Sequence, residues 1–195
     1  MNLPPFCDDI WLRGVNGVTE AGRTAEWVAA HGKAVYGFCL RLTGSRADAD
    51  DLYQETFLKA HRLGGQIRDD LNPGSFLLSL ATGIYQNESR KRRRRQRLAP
   101  QTSLDDENLS PRDEPRDELT PELAAEQREL RQTVAALMAE LDDTLRIPML
   151  LRYMRDLPLS EIAAICNLPE GTVKSRLHKA RGILKTRLEA MGYAP

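Results

Sequence analysis

Apolar residues along most of this chain recur at helical spacing, with no strand-like alternation anywhere. Towards the C-terminus Val173, Leu177, Ala180, Leu184 and Leu188 follow one another at intervals of four, three, four and four, which lines them along one side of a helix. Ahead of it Ile162, Ala163, Ile165 and Cys166 read as a shorter helix with Ser160 as its N-cap. Asn167 and Pro169 mark the turn between them, because Asn tolerates a left-handed backbone and Pro disfavours helix in the residue before it. The product is a predicted helix-turn-helix over Leu157–Leu188.

Upstream, two helices are expected from about Ala21 to Arg62, split at Thr43-Gly44-Ser45. Trp27, Val35, Phe38, Cys39 and Leu42 are apolar in the first, and Ala49, Leu52, Tyr53, Thr56 and Ala60 share a face of the second. Gly64-Gly65, Asp69-Asp70 and Asn72-Pro73-Gly74 mark a loop, after which a third helix runs from about Ser75 towards Arg95. Its pattern puts Leu77, Leu80, Ala81 and Ile84 inside, with Phe76 in the core, and Ser79, Thr82, Gly83, Gln86, Asn87 and Arg90 outside. A long pattern from Pro121 carries Leu123, Leu130, Val134, Leu137 and Leu141, and Leu145 to Met154 leads into the helix-turn-helix, with Pro148 expected to kink or restart the helix. From Leu98 to Pro121 inclusive, four prolines and few apolar residues predict a flexible linker. The expected fold is all-α: an extension over 1–20, one small helical domain over 21–98, an acidic linker over 99–120, and a second helical domain over 121–195.

Formal net charge is zero across the 195 residues, so nothing global advertises a polyanionic partner. The charge is instead segregated. Residues 90–97 hold seven Lys or Arg, whereas 105–118 hold seven Asp or Glu against Arg112 and Arg116. From Arg152 to Arg187, eight Lys or Arg face only Asp156, Glu161 and Glu170. Cations at the end of the third helix complement its dipole, but six consecutive ones from Arg90 to Arg95 exceed what that requires and point to a polyanion. On the helix-turn-helix, Thr172, Lys174, Ser175, Arg176, His178, Lys179 and Arg181 lie off the apolar stripe. In such motifs the second helix enters the major groove with its first residues at base edges, while later cations meet phosphates. Gly171 leaves backbone N–H groups open to a phosphate. The competing reading is an amphipathic hairpin with a solvated basic surface.

Cys7, Cys39 and Cys166 are odd in number and widely spaced, which argues against a disulfide framework or a metal-binding pair. The N-terminus lacks a basic start and an apolar signal core, so a cytoplasmic location is expected.

Two segments, RLTGSRADADDLYQETFLKAHR from Arg41 to Arg62 and LSEIAAICNLPEGTVKSRLHKAR from Leu159 to Arg181, resemble the extracytoplasmic function group of sigma-70 family RNA polymerase sigma factors. The resemblance implies a transcription initiation factor that binds core RNA polymerase and directs it to minus-35 and minus-10 promoter elements. It makes 21–98 sigma region 2 and 121–195 sigma region 4. It places polymerase docking, on the β′ clamp coiled coil, at Asp48, Asp51, Gln54, Glu55 and Leu58, with the β subunit a further contact. Minus-10 recognition falls to Ser79, Thr82, Gln86, Asn87, Arg90 and Lys91, and minus-35 recognition to Gly171, Thr172, Lys174, Ser175, Arg176, His178, Lys179 and Arg181. The family commonly has Trp where Phe76 stands and Asn where Gly83 stands, which moves base selection towards Gln86, Asn87 or the loop Gly64–Pro73. An anti-sigma protein is a common partner; no catalytic residue, metal, cofactor or membrane insertion is implied. Two other classes compete. A helix-turn-helix regulator acting without polymerase leaves Arg41–Arg62 unexplained, and a nucleic-acid enzyme lacks a phosphate-binding loop or a ligand cluster, since His31, His61 and His178 are scattered.

Overall fold

A computed structural model describes residues 20–63, 72–98 and 121–193, with the side chains of 20–23, 97–98 and 121–126 left aside. The expected N-terminal extension, most of the loop after Leu63 and the acidic linker lie outside the described residues. Within them every element is helical: α1 Glu20–Thr43, α2 Arg46–Leu63, α3 Pro73–Leu98, α4 Pro121–Ala139, α5 Asp143–Arg155, α6 Leu159–Cys166 and α7 Glu170–Ala190. They form two compact units, the first built on α1–α3 and the second on α4, α5 and α7.

In the first unit α1, α2 and α3 pack pairwise on one another. The corner between α1 and α2 is set by Gly44, whose φ of 77° is open to glycine. Thr43 Oγ1 lies 3.0 Å from both Cys39 O and Ser45 O, and Ser45 Oγ accepts the Asp48 N–H at 3.3 Å, capping α2. At the start of α3, Asn72 Oδ1 accepts the Gly74 N–H at 3.0 Å and Pro73 takes the first helical position. The loop signal Asn-Pro-Gly is therefore also the helix start, two residues earlier than expected.

The core joins Val35, Phe38, Cys39 and Leu42 of α1 to Ala49, Leu52, Phe57 and Ala60 of α2 and to Phe76, Leu77, Leu80, Ala81 and Ile84 of α3. Trp27 meets Phe76 edge-on at 5.9 Å, and Tyr53 meets Tyr36 edge-on at 5.6 Å and Phe57 at a tilt at 4.8 Å. Gly32 sits under Tyr53, where an added Cβ would stand 2.8 Å from the hydroxyl. The two-faced reading of early α3 needs correction: every residue from Gly74 to Thr82 is buried. Packing against both α1 and α2 covers a wider arc than the four apolar positions define. Ser79 turns its hydroxyl back to Phe76 O at 2.7 Å, and Thr82 Oγ1 is buried without a hydrogen-bond partner.

In the second unit Asp142 caps α5 by accepting the Thr144 N–H at 2.8 Å. Pro148 neither restarts nor ends this helix but stands inside it, the break falling earlier, at Leu141-Asp142. Asp156 closes α5 in the left-handed region at φ 52°, and the Leu157 N–H donates to Leu151 O at 3.4 Å. Helix α6 starts one residue before the expected cap: the Pro158 carbonyl accepts the Ile162 N–H at 3.1 Å, and Ser160 lies within the first turn. At the turn Asn167 adopts φ 53°, as its residue type suggested, and the Leu168 N–H donates to Ala163 O at 2.9 Å. The core draws on Leu137, Leu141, Leu145, Ile147, Leu151, Val173, Leu177, Ala180 and Leu184. Leu188, last of the expected stripe, is half-buried at the end of α7.

Burial pushes the Cys39 thiol up to about 12, so its folded-state value lies above the unfolded one. The stabilisation linked to the neutral thiol is complete below about pH 9 and is lost as pH rises towards the folded value. In a Cys7→Ser chain at pH 8, a maleimide should label half-exposed Cys166 first. Cys39 should label only after denaturant is added, as peptide mass mapping would read.

Candidate nucleic-acid interface

Helix α7 sorts its residues by direction. Val173, Leu177, Ala180 and Leu184 are buried, while Gly171, Lys174, Ser175, His178, Lys179 and Arg181 are exposed and Thr172 is half-buried. Lys174 to Arg181 spans about 10 Å at 1.5 Å per residue, a row of donors and cations along one open side. The backbone opens it, for the Pro169 carbonyl accepts the Thr172 and Val173 N–H groups at 2.9 and 3.1 Å, with no side-chain cap.

Two arginines of α7 leave that row. Arg176 is half-buried, and its Nη1 donates to Thr144 O on α5 at 3.4 Å. Arg187 is half-buried and pairs with Glu140, next to the end of α4. Tyr193 donates to Glu129 of α4 at 3.4 Å. Sequence cannot separate these arginines from Lys174 or Lys179, because the partner lies on another helix. Lys185, exposed and 3.7 Å from Glu189, continues the row four residues beyond Arg181 and is missing from the expected contacts.

On α3 the expected single-strand contacts divide. Ser79 and Thr82, 8 % and 1 % exposed, do not present their side chains at the surface; Gln86 and Asn87 are half-buried, as is Gly83, and Arg90 and Lys91 are exposed. All of Arg92 to Arg95 are exposed too, so the C-terminal part of α3 carries its cations outward. Lys91 pairs with Glu88 at 2.6 Å and Arg92 approaches Asp48 of α2 at 3.6 Å. Both pairs are solvated, each worth at most about 1 kcal/mol, so a polyanion can displace them.

Helix α2 presents the opposite charge. Asp51, Gln54, Glu55 and Leu58 are all exposed at spacings that put them on one face, Leu58 at 57 %. Ala49, Leu52, Thr56, Phe57 and Ala60 face the core, Thr56 with its hydroxyl on Leu52 O at 2.7 Å. Asp48 stands apart, half-buried beside Arg92. Nearby, the Tyr36 hydroxyl donates to Asp50 at 2.8 Å, and that hydrogen bond leads the rise of its pKa above the usual tyrosine value.

Among the described residues no cluster of three or more His, Cys, Asp or Glu is placed to hold a metal ion, and no helix is long and apolar enough to cross a membrane.

Comparison with known proteins covers both units. The sigma-70 region 2 family model matches residues 27–95 and the sigma-70 region 4 model matches 131–184. The ECF RNA polymerase sigma factor SigW of Bacillus subtilis is 28 % identical over 164 residues, 84 % of this chain and 88 % of the relative. SigL of Mycobacterium tuberculosis, with the same description, is 31 % identical over 163 residues, 83 % and 86 % of the two chains. Among solved structures, the sigma factor RpoE in complex with the anti-sigma factor NepR, from Bartonella quintana, has a TM-score of 0.70 at 21 % identity, over 86 % of this chain and 97 % of that one.

If the outward row of α7 meets phosphates, Lys179→Gln with Arg181→Gln should lower the log–log salt slope of binding to cognate duplex DNA by about two. Arg187→Gln, which breaks an internal pair, should leave the slope unchanged while lowering the thermal midpoint.

Proposed function

Since the chain belongs to the sigma-70 family of transcription initiation factors, in its extracytoplasmic function group, we propose that it binds core RNA polymerase and directs it to a two-element promoter. On this reading residues 21–98 act as region 2 and 121–195 as region 4. The observation that carries polymerase docking is the α2 face of Asp51, Gln54, Glu55 and Leu58, exposed while its neighbours are buried. Carboxylates around one exposed leucine suit a basic partner helix, here the clamp coiled coil of β′: the charges supply on-rate and register, and the leucine supplies buried area. The β subunit is a further expected contact.

Duplex DNA at the minus-35 element meets Gly171, Thr172, Lys174, Ser175, His178, Lys179 and Arg181. Lys174 and Ser175, near the helix start, are placed for base edges, and Lys179 and Arg181 for phosphates. At the minus-10 element Gln86 and Asn87 are the available readers of separated strands, while Arg90, Lys91 and the following arginines track the backbone. The factor works by binding alone, in the cytoplasm. An anti-sigma protein, as in the complex of RpoE with NepR, is an expected partner. A regulator acting without polymerase is the weaker reading, because it gives the α2 face no purpose.

Run-off transcription with core polymerase on a genomic promoter library tests this directly; transcripts should require both the polymerase and this chain. Asp51→Lys with Glu55→Lys should weaken core association at least tenfold in a pull-down titration, with helicity unchanged. Unaltered association would remove the α2 face from the interface.

A further inference from the structure

We propose that Arg176 is a positioning residue, whose guanidinium sets the recognition helix α7 on α5 by serving a backbone carbonyl that Pro148 leaves open. In an α-helix the carbonyl of residue 144 accepts the amide N–H of residue 148. Pro148 lies inside α5 and has no N–H, so Thr144 O lacks the donor that the helix would supply. Arg176 Nη1 stands 3.4 Å from that oxygen. A single N–H donated across the helix pair ties the side chain of Arg176 on α7 to the backbone of α5, which favours one rotation of α7 about its axis.

The surrounding contacts fit this role. Val173 and Leu177 flank Arg176 and are buried, and α5 and α7 pack on each other. Towards the far end of the same helix Arg187 pairs with Glu140 in solvent, a weaker contact. Lys174 and Ser175 just before Arg176, and His178, Lys179 and Arg181 after it, face outward. Arg176 thus belongs to what holds the DNA-facing row in register, and not to the row itself. Thr144 is exposed, so water competes for its carbonyl and the effect on stability is moderate. The inference rests on the reading of α7 as the promoter-contacting helix.

A double-mutant cycle in the full chain tests it, using Arg176→Ala, Pro148→Ala and the pair, with amide hydrogen exchange over Val173–Leu177 as the readout. In the wild-type background Arg176→Ala should reduce protection about fivefold, the scale of one hydrogen bond. In the Pro148→Ala background, where the helix regains its own N–H donor, the same substitution should cost less than about twofold; equal losses in both backgrounds overturn the proposal. If Arg176→Ala does not fold, Arg176→Gln replaces it in the cycle. The holoenzyme on a promoter recovered by run-off transcription gives a second readout. There Arg176→Ala should weaken binding with an unchanged salt slope, and a slope lower by about one would make Arg176 a phosphate contact instead. Should the wild-type chain select no promoter, the functional reading fails, and the exchange cycle still decides the role of Arg176.

Discussion

Everything the second unit offers to a partner depends on how α7 is turned, and burial of its apolar stripe turns it. Each buried leucine of Leu177 and Leu184 contributes roughly 1.5–3 kcal/mol, while drawing an unpaired ammonium inside costs several. With Val173 and Ala180 also inward, one rotation satisfies both demands, and it leaves Lys174, His178, Lys179 and Arg181 in solvent. The exposed ion pairs are too weak to set this orientation. They decorate a geometry that the core has chosen.

The same division governs the first unit with the charge reversed. Leu52, Phe57 and Ala60 tie α2 to α1 and α3, so Asp51, Glu55 and Leu58 have only the outer face left. An acidic face on α2 and a cationic stretch on α3 share this small unit, and Asp48 beside Arg92 is where the two meet. Each helix therefore has a structural half fixed by packing and a free half whose chemistry suits a different macromolecule.

Much of this is legible in the amino-acid sequence. The stripe of α7, the cores of α1 and α2 and the left-handed Asn167 follow from spacing and residue type, because those features are local. What escaped was set by neighbours distant in sequence. Ser79 and Thr82 are polar, and polarity says nothing about how many helices surround a position; packing of α1 and α2 around early α3 buried both. Ser160 has a capping side chain, but the carbonyl that opens α6 belongs to Pro158. Arg176 and Arg187 look like any other cation of α7 until their partners on α5 and beside α4 are seen. Pro148 was the one local hint, since an internal proline announces an open carbonyl four residues earlier.

The two corners that flank α6, Asp156 and Asn167, take left-handed backbone without glycine. Glycine would relax both corners, yet it would also widen the range of conformations open to the unfolded chain. Aspartate and asparagine accept a little strain in the folded corner and keep that range narrower, since their short side chains tolerate this geometry better than others do. The angles at which the chain enters and leaves α6 are thus a matter of residue choice at two points. A protein that must hold a reading helix at a set pitch gains more from stiff corners than from comfortable ones.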